Sequence, residues 1–151
     1  MFYLGLDLGQ RRDPSAIAVV ERGRDQRLLV RHLERIPLGT SYPRVVARVK
    51  KLLALDELRG NCSVAADAAG VGAQVMDMLR DARLGCDIAS VTITSGEKES
   101  QSGQTWNGRE RLGADGYGEH DDLVIALALG CWRAGKSVVR YGESPRRFRP
   151  G

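Results

Sequence analysis

The chain has 151 residues, enough for one domain with a core of its own and too few for two ordinary ones. Hydrophobic residues make up 42% and charged residues 28%, no apolar run approaches the ~20 residues that span a bilayer, and the start MFYLGLDLG shows no basic leader or cleavage site, so neither a membrane nor a secretory protein is expected. The net charge is +4, and its cations are nearly all arginine, the lysines being Lys50, Lys51, Lys98 and Lys136; arginine forks suit phosphate, which points towards nucleic acid, although a GC-rich genome produces the same bias.

Phe2 to Leu8 is apolar except for Asp7, the pattern of a strand buried in the middle of a sheet. Gly9 to Pro14 reads as a turn, and Ser15 to Glu21 as a second strand. Arg22 to Gln26 is a polar hairpin loop, and Leu28 to Ile36 mixes Leu and Val with charges as an exposed edge strand does. Pro37 to Ser41 links this meander to a helix capped near Ser41, with Pro43 in its first turn and Val45, Val46, Val49, Leu52 and Leu53 at helical spacing; Gly60 is expected to end it.

Cys62 to Ala66 reads as another buried strand, delivering Asp67 at its end. The small-residue turn Ala68 to Gly72 leads into a second helix, with Val75, Met78, Leu79 and Ala82 as its core stripe and Gly85 beyond its end. Asp87 to Ile93 is a fifth strand, and Thr94 to Gly118 a long polar loop. A third helix, from about Asp121 to Arg133, is apolar nearly all round and expected to be buried. Residues 142–151 form a basic, flexible tail behind a domain of residues 1–141. Cys62, Cys86 and Cys131 make an odd count without a CxxC pair, which fits a reducing cytoplasm and neither a disulfide framework nor a zinc site. A meander followed by right-handed crossovers gives an α/β fold: a five-stranded mixed sheet in the order 3-2-1-4-5 with helices on both faces.

The acids are the informative residues. Asp7 interrupts an apolar strand, Asp67 closes the fourth strand, and Asp121 and Asp122 open an otherwise hydrophobic helix. In this topology the first and fourth strands are parallel neighbours, so Asp7 and Asp67 can converge at one sheet edge that the third helix also reaches. Burying an unpaired carboxylate costs several kcal/mol, so the set calls for a partner or a metal. Oxygen ligands without nearby His or Cys favour a hard cation, Mg²⁺ or Mn²⁺. Taken one at a time, Asp67 reads equally as a turn former and Asp121 or Asp122 as a helix cap.

The segments GLDLGQRRDPSAIAVVE, VAADAAGVGAQVMDML, ITSGEKES and GEHDDLVIALALGCW, in that order, resemble the nuclease domain of phage terminase large subunits. The resemblance runs from Phe2 to Trp132 and implies the ribonuclease-H-like fold. It also implies a DNA endonuclease that cuts concatemeric genomes during packaging, by two-ion phosphodiester hydrolysis with two Mg²⁺ or Mn²⁺ ions. Asp7, Asp67 and the Asp121/Asp122 pair are then the catalytic metal ligands, with Asp122 the favoured one of the pair and Asp121 a cap or second ligand. Double-stranded DNA is the implied partner, with a terminase ATPase domain or subunit and a portal beside it, in a host cytoplasm. The expected DNA contacts are Arg11, Arg12, Lys98, Arg146, Arg147 and Arg149. His120 adjoins the acids and could move a proton or touch phosphate, although a capping or surface histidine is the simpler reading.

Relative to that family the sequence starts at the nuclease's first strand, as expected of an excised domain, a split gene product or a stand-alone relative, and its segment before the last helix is shorter. A junction resolvase or transposase-type nuclease of the same fold, or a DNA-binding or assembly module that has lost cleavage, would present similar acids. GLDLG also resembles the phosphate loop of actin-like sugar kinases, which need two such domains and a longer chain. Gly130 to Ser137, GCWRAGKS, matches the P-loop pattern GxxxxGK[ST] letter for letter. A P-loop needs a strand before it and a helix after it. The residues beyond Ser137 are too few and too rich in Gly and Pro for that, so a helix end is expected, with Gly135 as a left-handed cap.

Overall fold

Side chains alternate between the two faces of a strand, so the register of this sheet decides which layer each acid enters. The computed structural model describes residues 1–9, 13–67, 69, 73–93 and 121–136. In chain order these form β1 (Phe2–Asp7), β2 (Ala16–Arg22), β3 (Leu28–Arg35), α1 (Tyr42–Leu53), β4 (Cys62–Asp67), α2 (Ala73–Asp81), β5 (Asp87–Val91) and α3 (Asp122–Lys136). The sheet order is β3-β2-β1-β4-β5, as the sequence predicts. β1 pairs antiparallel with β2 and parallel with β4, which pairs in parallel with β5.

One face is built from large aliphatics. Leu4, Leu6, Ile17, Val19 and Val64 join Val45, Val49 and Leu52 of α1 and Val75 and Leu79 of α2 in a single cluster. The other face carries small residues, Gly5, Ala16, Ala18 and Ala65, and there α3 lies with Ala126 and Leu129 against the sheet. The helix backbone comes so close that a Cβ added to Gly5 would overlap Ala126 O and stand 2.6 Å from Gly130 N. Ala126 and Gly130, four apart on one helical stripe, permit that approach, as their spacing predicts.

The structure corrects several details. β5 ends at Val91, short of the expected Ile93. α1 ends at Leu53 with Ala54 as its C-cap; Gly60 does not end the helix but takes φ +68 in the turns before β4, where a left-handed residue is needed. Ser41 is the N-cap residue, yet its side chain makes no capping bond. In α2 the core face takes Val75, Met76 and Leu79, while Met78 is 40% exposed. Position 78 lies about 100° of helical rotation from 79, beyond the edge of the stripe, and 76 falls inside it. α3 is not enclosed by the described residues. Its buried positions, Asp122, Ala126, Leu129, Gly130 and Ala134, form one stripe, and Val124 is exposed. It also runs to Lys136 straight through Gly135, which has no positive φ.

β3 is an edge strand, as expected, with Leu28, Leu29, Val30 and Leu33 exposed among charges. No helix among the described residues is long and apolar enough to cross a membrane. The 142–151 tail and the boundary at residue 141 lie outside the described residues.

Candidate active site

Asp7 ends β1 on the face that α3 covers, the same face as Gly5 two residues earlier. It pairs with Ala16, and Ala16 pairs in turn with Arg35 of β3. On the other side Leu6 pairs with Ala66, so Asp67 follows one step later on β4, itself paired with Val91. A single row across the sheet therefore runs Arg35, Ala16, Asp7, Asp67, Val91. The first turn of α3 lies above this row, placed there by the contact of Gly5 with Ala126 and Gly130.

Burial raises the Asp7 carboxyl to about 7, and the charges of Asp67, Asp122, Asp121 and Asp13 add to the rise. The four expected acids are thus brought to one edge, with Asp7 at the centre of their field. Asp67 is buried, and burial raises its carboxyl too, against backbone hydrogen bonds from Ala69 and Ile93. The Ala69 N–H donates to Asp67 Oδ1 at 2.8 Å, so Asp67 also serves the turn after β4. The Asp121 carbonyl accepts the first helical bond, from Ile125 N–H, which puts Asp121 in the capping position. Asp122, 3% exposed, is held by Arg35: Nε donates to Oδ2 at 2.8 Å and Nη2 to Oδ1 at 3.0 Å.

Among the described residues, no three His, Cys, Asp or Glu side chains are grouped as the ligands of one ion would be. The donor chemistry nevertheless fits a hard divalent cation. Asp7, Asp67 and Asp122 offer only oxygen, and a cation would relieve the repulsion that raises Asp7. The turn beside Asp7 is tied from both sides, with Gly9 N–H donating to Ser15 Oγ at 3.1 Å and Tyr42 OH to Gly9 O at 3.2 Å.

Arg35 and Asp13 are the site residues that sequence reasoning missed. Asp13 stood in the first turn as a turn former. Arg35 stood at the end of an edge strand, where a cation reads as solvated; the hairpin pairing of Arg22 with Leu28, carried along unbroken, would have put Glu34 level with Ala16 and Asp7, and the register shift at Val19/Val20 is what brings Arg35 there instead. Arg11, Arg12, Lys98, His120, Arg146, Arg147 and Arg149 lie outside the described residues.

The P-loop match meets a plain structural answer. The segment Leu123 to Leu129 that would be its strand is helical, and Lys136 lies in the same helix with Nζ 5.9 Å from the Trp132 ring centroid. Lys136→Ala is expected to leave DNA cleavage unchanged. ATP should leave Trp132 fluorescence and the melting temperature of the wild type unmoved; a saturable ATP response lost in Lys136→Ala would restore the P-loop.

No family model matches the chain, and no curated protein matches it. Solved structures do. The large terminase nuclease from thermophilic phage G20c, solved with bound zinc, is 25% identical and superposes with a TM-score of 0.59 over 88% of this chain and 81% of that one. RuvC from T. thermophilus in complex with a Holliday junction substrate is 18% identical, with a TM-score of 0.43 over 60% of this chain and 63% of that one. The fold is ribonuclease-H-like, and the likeness to a terminase nuclease read from the motifs holds in three dimensions.

Proposed function

We propose that the chain is a divalent-metal-dependent DNA endonuclease of the terminase type, cutting concatemeric phage DNA during packaging. The observation that carries this is Asp7: a half-buried carboxyl at the end of a central strand, with further acids around it, in a fold shared with a terminase nuclease. A half-buried carboxylate among like charges costs stability, so the fold alone does not account for it. Asp7, Asp67 and Asp122 are the proposed ligands of two Mg²⁺ or Mn²⁺ ions, with Asp121 as helix cap or second ligand. When bound, the ions supply an activated water and neutralise charge at the leaving 3′ oxygen. In that reaction the water oxygen would bond to phosphorus as the bond to the 3′ oxygen breaks, with one water proton lost to solvent and one taken up by the 3′ oxygen, which leaves a 5′ phosphate and a 3′ hydroxyl.

The chain's own share is to fix these carboxylates. The β1–β4 register sets Asp7 beside Asp67, and α3 holds Asp122 above them. Arg11, Arg12, Lys98, Arg146, Arg147 and Arg149 are the proposed phosphate contacts, and His120 keeps the simpler reading of a capping or surface histidine. A terminase ATPase domain or subunit and a portal are the proposed assembly partners.

Digestion of supercoiled plasmid tests the reading. Nicked and linear products are expected with Mg²⁺ or Mn²⁺, and none with EDTA or with Asp7→Ala. Cleavage that persists in EDTA, or equal cleavage by Asp7→Ala, would remove the assignment.

A further inference from the structure

We propose that Arg35 is a displaceable counter-ion for Asp122, a positioning residue that occupies this carboxylate until a divalent cation takes its place. The inference rests on the metal-site reading above. Three observations meet at this pair. Asp122 is 3% exposed, so water cannot solvate its charge, and the guanidinium supplies what water does not. The contact is a fork, with one nitrogen on each carboxylate oxygen at 2.8 and 3.0 Å, so both oxygens are engaged. The Arg35 side chain itself is 47% exposed, so its departure uncovers no core and its charge can return to water.

The position matters as much as the pair. Arg35 ends β3 in the same row as Asp7, on the face beneath α3. A cation shared by Asp7, Asp67 and Asp122 would compete for the very oxygens the fork holds. Two positive groups close together on one carboxylate repel each other, so loading the metal and keeping both hydrogen bonds are opposed. Arg35 thereby stabilises the metal-free site and weakens its affinity for metal. An ordinary structural ion pair, remote from the ligands, would leave that affinity alone.

The test uses the full chain without DNA. Mn²⁺ is titrated calorimetrically into wild type, Arg35→Gln and Arg35→Lys, with circular dichroism to confirm folding. Arg35→Gln is expected to bind Mn²⁺ about tenfold more tightly than wild type, because the competing charge is gone. Arg35→Lys, which keeps the charge without the fork, should fall between them. The melting-temperature gain from saturating Mn²⁺ should be larger in Arg35→Gln, where the metal restores a missing counter-ion. In wild type the Arg35 Nε–H resonance should lose its hydrogen-bonded shift on addition of Mg²⁺, a readout that stands even if Arg35→Gln does not fold without metal. Equal or weaker Mn²⁺ affinity in Arg35→Gln, or an Nε–H signal unmoved by saturating Mg²⁺, overturns the proposal. If wild type binds and cuts while the variants bind alike, this inference alone falls; if wild type neither binds Mn²⁺ nor cuts, the nuclease reading falls with it.

Discussion

Gly5→Ala is expected to lower the free energy of unfolding by about 3 kcal/mol or more, at the upper end of what overpacking does. The added methyl would overlap Ala126 O and lie 2.6 Å from Gly130 N. Both are backbone atoms of one helix, so no rotamer change relieves the clash and α3 must lift from the sheet. Lifting it loosens Ala126 and Leu129 from the small-residue face and moves Asp122 away from the row of Asp7. Folded domains keep only about 5–15 kcal/mol in all, so the loss is a large share. Gly130→Ala provides the contrast. Its Cβ would meet Val20 Cγ2 at 3.1 Å, a side-chain carbon that can yield, and the cost should be clearly smaller. Urea unfolding of the two variants measures the difference; a Gly5→Ala loss no greater than that of Gly130→Ala would refute the close-approach argument.

Asp7→Asn should be more stable than wild type in EDTA, by an amount that depends on pH. The Asp7 carboxyl is raised from 3.8 to about 7 in the folded state. Between these values the folded chain holds a proton that the unfolded chain has released, so unfolding becomes easier as pH rises through the window. The stability associated with Asp7 is intact below the unfolded value and is lost once pH passes about 7. At about 1.36 kcal/mol per pH unit the full loss is of the order of a few kcal/mol. Asparagine cannot ionise, so the gap between variant and wild type should widen from pH 5 to pH 8. Saturating Mn²⁺ should narrow or reverse it, since the cation compensates the charge in wild type alone. A gap that stays constant across this range would mean that Asp7 is not the strained carboxyl of the site.

The sheet was legible because each of its elements has a local signature. A two-sided apolar run makes β1 central, and mixed charge makes β3 an edge. Asp7 stood out for the same reason, as a charge where the pattern demands a hydrocarbon. Quantities that depend on the partner surface were not legible. Which methionine of α2 turns inward is settled by how the helix rotates on the sheet, and its period accommodates Met76 as readily as Met78. Glycine was over-read as punctuation, since Gly135 continues a helix and Gly60 lies beyond one. The pair of Arg35 with Asp122 joins residues far apart in sequence, and neither shows in its own neighbourhood what it will meet.

The packing of α3 on Gly5 also bears on the order in which the molecule assembles. β1, β2 and β3 are joined by short turns and close small loops. The pairing of Phe2 with Cys62 closes a much longer one, and the contact of Gly5 with Ala126 and Gly130 spans nearly the whole described chain. Loop-closure entropy and the dependence of folding rate on contact order both place the local hairpins early and that contact last. The acids of β1 and β4 can then come together before the helix that brings Asp122 is seated, so Asp7 meets the charge of Asp67 first and the added repulsion of Asp121 and Asp122 only at the final step. Leu129→Ala should accordingly speed unfolding while leaving the refolding rate almost unchanged, a φ-value near zero in stopped-flow kinetics. The nuclease edge would thus be the part of the fold made last and, by the same barrier, the part that opens first.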